Sequence, residues 1–178
     1  MKLSDKLMIC IAAALFLAAS PAFATQQVFS TGPVIEDFGP VADVPAAQPL
    51  SPDTELRVVL DTSTPAEEGE LNRALVSAAR FINMHARAGL DPDNIQLAVV
   101  IHGRAVRDVA EVDGGQSGAN AALIAALVEH NTGIYVCGQS AAFYNVTAKD
   151  LLPGVTLSLS AMTAHAVLQQ DGYTLNPF

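Results

Sequence analysis

Basic residues are scarce in this sequence of 178 residues, which has nine Lys and Arg against eighteen Asp and Glu and a formal net charge of −9. No run of basic residues occurs in it. Nucleic acid is bound largely through Lys and Arg contacts to phosphates, and anionic lipid surfaces attract the same residues. The composition therefore argues against nucleic acid and anionic lipid as partners.

Long apolar runs are also missing, apart from one at the N-terminus that extends from Leu7 to Ala19. Lys2 and Lys6 precede this run and Ala22-Phe23-Ala24 follows it, which is the pattern of a secretory signal peptide. The run is too short to cross a membrane comfortably, and we expect no membrane span in the mature chain. We therefore expect residues 1–24 to be removed and the mature protein to be periplasmic or secreted.

Cysteine occurs only twice, as Cys10 and Cys137. Because Cys10 lies in the signal peptide, the mature chain has a single thiol and forms no internal disulfide. Residues 134–136 predict a short buried strand that breaks at Gly138 and leads into a helix. Amides at the start of a helix lower the pKa of a neighbouring thiol, and Ser140 is placed to donate a hydrogen bond to the thiolate. The alternative is a buried cysteine that serves only as a small apolar side chain.

Residues 25–55 contain five of the ten prolines and little apolar periodicity. This composition predicts an extended arm rather than a helix or a central strand. Four apolar residues of the arm, Phe29, Val34, Ile35 and Phe38, are candidates for holding it against a surface of this chain or of a neighbour.

From residue 56 onward, short apolar strands alternate with helical segments. The strands are predicted at residues 56–60, 95–101, 134–136, 155–159 and 173–178. The first helix is predicted to start at the capping-box sequence Thr64-Pro65-Ala66-Glu67 and to end at Gly89, the second to start near Asn120, a short third to cover 141–144, and the fourth to run from the cap Ser160 to about residue 170. This alternation predicts one α/β domain over residues 56–178, a three-layer α/β/α sandwich around a mostly parallel sheet of about five strands.

The carboxyl ends of parallel strands form the edge at which such sheets bind ligands. His102 ends one predicted strand and Cys137 ends the next, and sequential strands are often neighbours. An imidazole beside a thiol favours the thiolate or shuttles its proton, so His102 is a candidate catalytic residue; the alternative is that it only caps backbone groups. Gly103, Gly138 and Gln139 are the edge residues expected to contact a small ligand.

Metal and cofactor motifs are missing as well. The four histidines lack metal-ligand spacing, and one thiol does not make a zinc site. His85, His130 and His165 are predicted on helices, at the surface or at the rim of the core. The glycine-rich residues 114–118 lack the lysine of a phosphate-binding loop and predict a flexible loop. We expect neither a metal nor a cofactor.

Residues 138–142, Gly-Gln-Ser-Ala-Ala, differ at one position from the G-x-S-x-G nucleophile elbow, which also lies at a turn from strand to helix. Asp150 and His165 follow in the order that hydrolases of this type use. The final glycine is replaced by alanine and no oxyanion motif occurs. A serine hydrolase acting through Ser140 is therefore an alternative.

Several segments together resemble the DsrE/DsrF-like family. These segments are His102-Gly103, Asn120 followed by Leu123-Ile124, residues 134–140, Leu152-Pro153-Gly154-Val155, and the terminal Gly172-Tyr173 and Asn176-Pro177-Phe178, which are typical of its exported branch. The resemblance covers about residues 56–178. It implies a three-layer domain that assembles into trimers or hexamers. In sulfur-relay members a cysteine at this strand end carries sulfur as a persulfide, and Cys137 matches that position.

The resemblance favours a sulfur or thiol carrier that acts through Cys137 and exchanges sulfur with a donor or acceptor protein. A second hypothesis is a non-catalytic oligomeric module that binds a small ligand and whose cysteine is structural. The apolar residues Phe143, Tyr144 and Val146, which follow the cysteine in a segment with few charges, suggest an interface between copies of the chain. The alternative for these three residues is that they fill the core of their own domain.

Overall fold

Five parallel strands form the centre of the protein in a computed structural model that describes residues 28–111 and 117–177. The strands are β1 (Leu56–Thr62), β2 (Ile95–Ile101), β3 (Gly133–Cys137), β4 (Val155–Ser158) and β5 (Thr174–Asn176). Their order across the sheet is β4-β3-β2-β1-β5, and every neighbouring pair is parallel. The predicted parallel sheet is confirmed. The nearly unbroken apolar sequence of β2 suits its central place, where both faces of the strand are covered.

Helices cover the two faces of the sheet unequally. They are α1 (Arg73–Arg87), α2 (Ser117–Glu129), α3 (Gly138–Phe143) and α4 (Ala161–Gln170), with 3₁₀ helices at Pro92–Asn94 and Gly103–Val109. The larger core contains buried residues of α1, α2, α3 and the second 3₁₀ helix. On the other face the smaller core holds Ala164 and Leu168 of α4 against β1 and β2. The predicted α/β/α layers are confirmed, and the α4 layer is the thin one.

The predicted start of the first helix at residues 64–67 is wrong. α1 begins at Arg73, and Asn72 caps it by accepting a hydrogen bond from the amide of Ala74 at 3.0 Å. The amide of Ala66 is instead bonded to the buried carboxylate of Asp108 at 2.8 Å, and the side chain of Asn72 donates to the same carboxylate at 2.7 Å. These long-range hydrogen bonds hold the segment before α1 as a loop at the carboxyl edge of the sheet.

Most other elements lie where the sequence predicts them. β2 has the predicted bounds, and Ser160 caps α4 by accepting a hydrogen bond from the amide of Thr163 at 3.0 Å. α3 begins at Gly138, one turn earlier than predicted. The predicted signal peptide and residues 114–116 of the predicted flexible loop lie outside the described residues, and residues 117 and 118 of that loop are the start of α2.

The proline-rich arm packs against α1. Ile35 is 2% exposed and belongs to the main core, and Val34 and Phe38 pack beside it, as predicted. Phe29, the fourth predicted anchor, is 63% exposed. Gly39 lies so close to α1 that a Cβ there would collide with the backbone of the helix, and its φ of 64° also favours glycine.

Asn83 holds the arm through backbone groups. Its side chain is fully buried; its Oδ1 accepts from the amides of Val34 and Ile35 at 3.2 and 2.8 Å. Its Nδ2 donates to the carbonyls of Ile35, Phe38 and Gly39 at 3.0, 2.9 and 3.2 Å. One amide side chain thus satisfies five polar groups of a segment that forms no regular secondary structure.

Arg87, one turn further along α1, makes a second attachment. Its guanidinium donates to the carbonyls of Gly32, Thr31 and Val41 at 3.0, 2.7 and 3.1 Å. It also donates to both the carbonyl and the hydroxyl of Ser30 at 2.8 Å. Charge-assisted hydrogen bonds of this kind are stronger than neutral ones, so the arm is fixed at both ends of its contact with α1.

Asn83→Ala tests this attachment. We expect the free energy of unfolding to fall by at least about 2 kcal/mol, because several buried polar groups lose their partners, and the arm to become sensitive to protease. The control is Asn94→Ala, which removes one exposed hydrogen bond to Pro52 and is expected to cost less than about 0.5 kcal/mol. Denaturant unfolding and limited proteolysis measure both effects. An unchanged stability and a protected arm would contradict the role of Asn83.

Candidate functional site

Cys137 lies at the junction of β3 and α3. It is the last residue of the strand and the N-cap of the helix, and it is 6% exposed. The next residue, Gly138, packs against the end of β4, where a Cβ would come within 2.6 Å of the carbonyl oxygen of Ser158. Only glycine leaves room for the chain to turn into α3 so close to β4. Gly138 therefore sets the direction in which the thiol enters the site.

Several hydrogen-bond donors surround the sulfur of Cys137. Burial raises the pKa of the thiol, but the hydroxyl of Ser140 and the nearby backbone amides of Ser140, Ala161 and Gln139 lower it. The net pKa lies below the ordinary value of a cysteine. The amides come from the first turns of α3 and α4, where backbone N–H groups have no partner within the helix. The predicted hydrogen bond from Ser140 is present, whereas the contribution of α4 was not predicted.

Gly103 orients the hydroxyl of Ser140. Its amide donates to Ser140 Oγ at 2.9 Å, so the hydroxyl proton is left for the sulfur of Cys137. Gly103 has a φ of 56°, and a Cβ there would come within 3.1 Å of the Cβ of Ser63. Gly103 was expected to contact a ligand, but the hydrogen bond shown here supports Ser140.

His102 lies level with Cys137 in the sheet. β2 and β3 pair with Ile101 opposite Val136, and His102 continues β2 in an extended conformation. In this register the backbone of His102 lies one strand spacing, about 4.8 Å, from the backbone of Cys137 across the sheet. The side chain of His102 makes no capping hydrogen bond to the following 3₁₀ helix. Its Nε2 atom instead lies 3.2 Å from Oδ1 of Asp61.

Asp61 binds a second histidine. Nε2 of His165 lies 2.7 Å from Asp61 Oδ2, so the carboxylate bridges two imidazoles. The side chains of His102 and Asp61 are each 34% exposed and that of His165 is 18% exposed. Asp61 is a residue that the sequence analysis did not single out. The signals available were a carboxylate next to the end of an apolar strand and the helical spacing of His165 from Ala161 and Leu168, which face the sheet.

The three residues of the hydrolase alternative have other partners. His165 is bonded to Asp61, and the hydroxyl of Ser140 is bonded to Gly103 and Cys137. Asp150 accepts hydrogen bonds from the hydroxyl and the amide of Thr147, both at 2.7 Å. These bonds hold the pKa of Asp150 below its usual range. The structure thus gives no support to a Ser140–His165–Asp150 triad.

The remaining edge residues also act around the thiol. The amide of Gln139 helps to lower the pKa of the thiol, and its side chain donates to the carbonyl of Leu159 at 3.4 Å. Across residues 28–111 and 117–177, no group of three or more His, Cys, Asp and Glu side chains is arranged to hold a metal ion. Over the same residues, no helix has the length and apolar character needed to cross a membrane.

A small cavity lies beside the site. The cavity, of about 230 Å³, opens between α4 and the strands β3 and β4. Its lining includes Tyr135, Ser158, Leu159, Thr163 and Val167. Ser158 is the partner of Cys137 in the sheet, so the cavity borders the strand end that carries the thiol.

The fold and this site define a three-layer α/β protein with one thiol of lowered pKa at the carboxyl edge of a parallel sheet. The model of the DsrE/DsrF-like family matches residues 57–177, and the chain belongs to this family. Among solved structures, the protein of unknown function MTH1491 from Methanobacterium thermoautotrophicum is similar, with a TM-score of 0.51 and 16% sequence identity over 71% of this chain and 100% of that chain. This likeness shows the shared fold. No curated protein matched the chain.

Ser140→Ala tests the environment of the thiol. The variant loses the hydroxyl donor but keeps the backbone amides, so we expect the pKa of Cys137 to rise toward its ordinary value. The midpoint of the pH dependence of alkylation by iodoacetamide should move to higher pH. The rate should fall at neutral pH and match the wild type at high pH, where both thiols are ionised. Ser77→Ala, on α1, is the control and should leave the profile unchanged. An unshifted midpoint for Ser140→Ala would refute the donor role.

Proposed function

We propose that this protein is an exported carrier of sulfur that holds the transferred atom on Cys137 as a persulfide. The observation that carries the proposal is the set of donors around the sulfur, in which a hydroxyl and the amides of Gln139, Ser140 and Ala161 stabilise negative charge. A thiolate is the nucleophilic form of cysteine. Membership of a family linked to sulfur relay supports the same role.

The transfer needs no external oxidant. The thiolate of Cys137 attacks the outer sulfur of a donor persulfide, R–S–SH. A new S–S bond forms at Cys137, and the S–S bond of the donor breaks. The donor thiolate leaves with the electron pair and takes up a proton to give R–SH.

The same donors favour release of the sulfur in the second half of the reaction. The thiolate of an acceptor attacks the outer sulfur of the Cys137 persulfide, and the thiolate of Cys137 leaves. A leaving thiol of lower pKa leaves faster. The hydrogen bonds from Ser140 and Ala161 thus assist both the arrival and the departure of sulfur, which is what a carrier requires.

The signal sequence of residues 1–24 supports a location in the periplasm or outside the cell. Its removal leaves Cys137 as the single thiol of the mature chain, so no second cysteine of the same chain competes for the persulfide. A sulfur donor or acceptor protein in the same compartment is the partner that this role implies.

A ligand-binding module is the second candidate, and the cavity beside α4 favours it. The cavity walls include the apolar Leu159, Val167 and Leu168 together with Tyr135 and Thr163, which suits a small, mostly apolar ligand. In that case Cys137→Ser would leave ligand binding intact, whereas it would abolish sulfur transfer by a carrier.

Intact mass measured without reductant tests the proposed function. We expect protein purified from the exported fraction to begin at Thr25 and, after incubation with a persulfide donor, to gain the mass of one sulfur atom. Reductant or an acceptor thiol should remove the added sulfur. Cys137→Ser is the control and should gain none. A wild-type thiol that stays unmodified would contradict the carrier role, and exported protein beginning at Met1 would contradict signal cleavage.

We also propose that the protein assembles with copies of itself into a trimer or hexamer. Four large apolar side chains, Leu157, Leu159, Met162 and Val167, are exposed by 42, 72, 80 and 51%; we call them the β4–α4 surface. β4 is also an edge strand, and exposed edges and apolar patches are usually covered. The surface is next to Cys137, because the amide of Ala161 contacts the sulfur.

The segment after the cysteine contributes less to an interface than predicted. Val146 is 4% exposed and belongs to the main core, so its assignment to an interface is wrong. Tyr144 packs against the same core and lies under the guanidinium of Arg107 at 5.4 Å. Phe143, at 77% exposure, is free to contact a neighbouring copy. The apolar β4–α4 surface supplies the larger part of the proposed contact.

Met162→Glu tests the assembly. Sedimentation equilibrium at micromolar concentration should show an oligomer for the wild type and a monomer for the variant, because a charge is costly in the apolar centre of an interface. A glutamate in the first turn of α4 is favourable for the helix itself, so the fold should persist. Val44→Glu, at an exposed position of the arm, should leave the oligomer intact. A monomeric wild type would refute the assembly.

A further inference from the structure

The bridged pair of histidines lies on the same face of the sheet as the thiol. Side chains alternate between the two faces of a strand. Val100 and Tyr135 both pack in the core under α4, so His102 and Cys137, each two residues further along its strand, point to that face. Asp61 is the partner of Val100 in β1 and shares the face as well.

Helix α4 connects the sulfur and the histidine pair. The amide of Ala161 donates to the sulfur of Cys137, and His165, one turn later on the same helix, contacts Asp61. Residues four apart lie on the same side of a helix. The first two turns of α4 therefore cover both the thiol and the Asp61 carboxylate, and His102 lies between them on β2.

The hydrogen bonds to Asp61 indicate the tautomers of the two imidazoles. An ionised carboxylate only accepts hydrogen bonds, so both imidazoles carry a proton on the Nε2 atom that faces Asp61. Each Nδ1 atom is then the basic atom of its ring. Nδ1 of His165 is buried and has no partner in the structure.

Of the two imidazoles, that of His102 is the more accessible. Its side chain is 34% exposed, against 18% for His165, and it lies level with Cys137. The Asp61 carboxylate, held from its other side by His165, stabilises the imidazolium that forms on His102. Asp61 and His165 thus position and support the imidazole of the residue that lies opposite Cys137 in the sheet.

We propose that His102 is the proton carrier of the Cys137 site and that Asp61 and His165 are its positioning residues. The inference rests on the proposed sulfur transfer and supplies its proton steps. His102 takes the proton of the Cys137 thiol as the thiolate forms. After the thiolate has attacked the donor persulfide, the same proton passes from His102 to the leaving R–S⁻ and gives R–SH. The imidazole returns to its neutral form, so each transfer conserves protons and electrons.

The proton role predicts a dependence on the leaving group. A dialkyl disulfide releases a basic thiolate that needs a proton, whereas a disulfide of a nitro-substituted aromatic thiol releases an anion that is stable without one. We expect His102→Gln to slow the reaction of Cys137 with the dialkyl disulfide by about 100-fold, within the range of general acid catalysis. The reaction with the aromatic disulfide should change by less than about twofold. Stopped-flow measurement at neutral pH, where His102 can hold the proton of the thiol, gives both rates, and the ratio of the two rates cancels any change in the fraction of thiolate.

Further variants separate the proton role from a structural one. Asp61→Asn and His165→Asn should show the same selective loss, smaller than that of His102→Gln, because they act through His102. His130→Gln, at the distant end of α2, is the control and should react with both disulfides as the wild type does. An equal loss with both disulfides, or no loss with either, would overturn the proposal.

The outcome is independent of whether the wild type carries persulfide, because both probes are disulfides. A wild type that never gains sulfur, with the selective loss still present in His102→Gln, would refute the carrier function alone. A wild type that carries sulfur, with His102→Gln reacting normally toward the dialkyl disulfide, would refute the proton role alone.

Discussion

The parallel pairing of β1, β2 and β3 is the constraint on which the site depends. Parallel strands end at the same edge, and each return connection must start there. The edge therefore gathers both the last side chains of the strands and the first amides of the helices. Asp61, His102 and Cys137 lie at the ends of three adjacent strands, and the amides of α3 and α4 near the sulfur lower its pKa. A thiolate placed at this edge meets donors that the backbone provides without any basic side chain.

Elements set by local sequence could be predicted. β2 is an apolar run interrupted only by Gln96, and Ser160 marks the start of α4, so both lie at their predicted positions. The start of the first helix was not predicted correctly, because distant polar groups bind the segment that contains the capping-box sequence. Asp108 and Asn120 bind the loop before α1 from 36 to 48 residues away in the chain. A local pattern contains no information about such partners, so the helix start was placed too early.

The residues of the site also fall into a group that the sequence predicts and a group that it does not. Cys137, Ser140 and the level position of His102 followed from a strand end, a helix start and the order of strands. Asp61 and the amide of Ala161 did not, because they reach the site through the sheet order and through the path of α4. The contact of Asp61 with His165 joins residues 104 positions apart. Prediction of it requires knowing that α4 crosses back over β1, which the alternation of strands and helices leaves open.

The attachment of the arm has a consequence for how this chain can vary. Asn83 binds only amides and carbonyls of the arm, and Arg87 binds its carbonyls together with two side chains, the hydroxyl of Ser30 and the carboxylate of Asp43. These contacts depend mainly on the path of the arm backbone and only slightly on which side chains the arm carries. Apart from the buried Ile35 and Val41, the packed Val34 and Phe38 and the close approach at Gly39, the arm is free to accumulate substitutions while keeping its shape. Asn83 and Arg87 of α1 therefore maintain the shape of the arm, although much of the sequence of the arm can change.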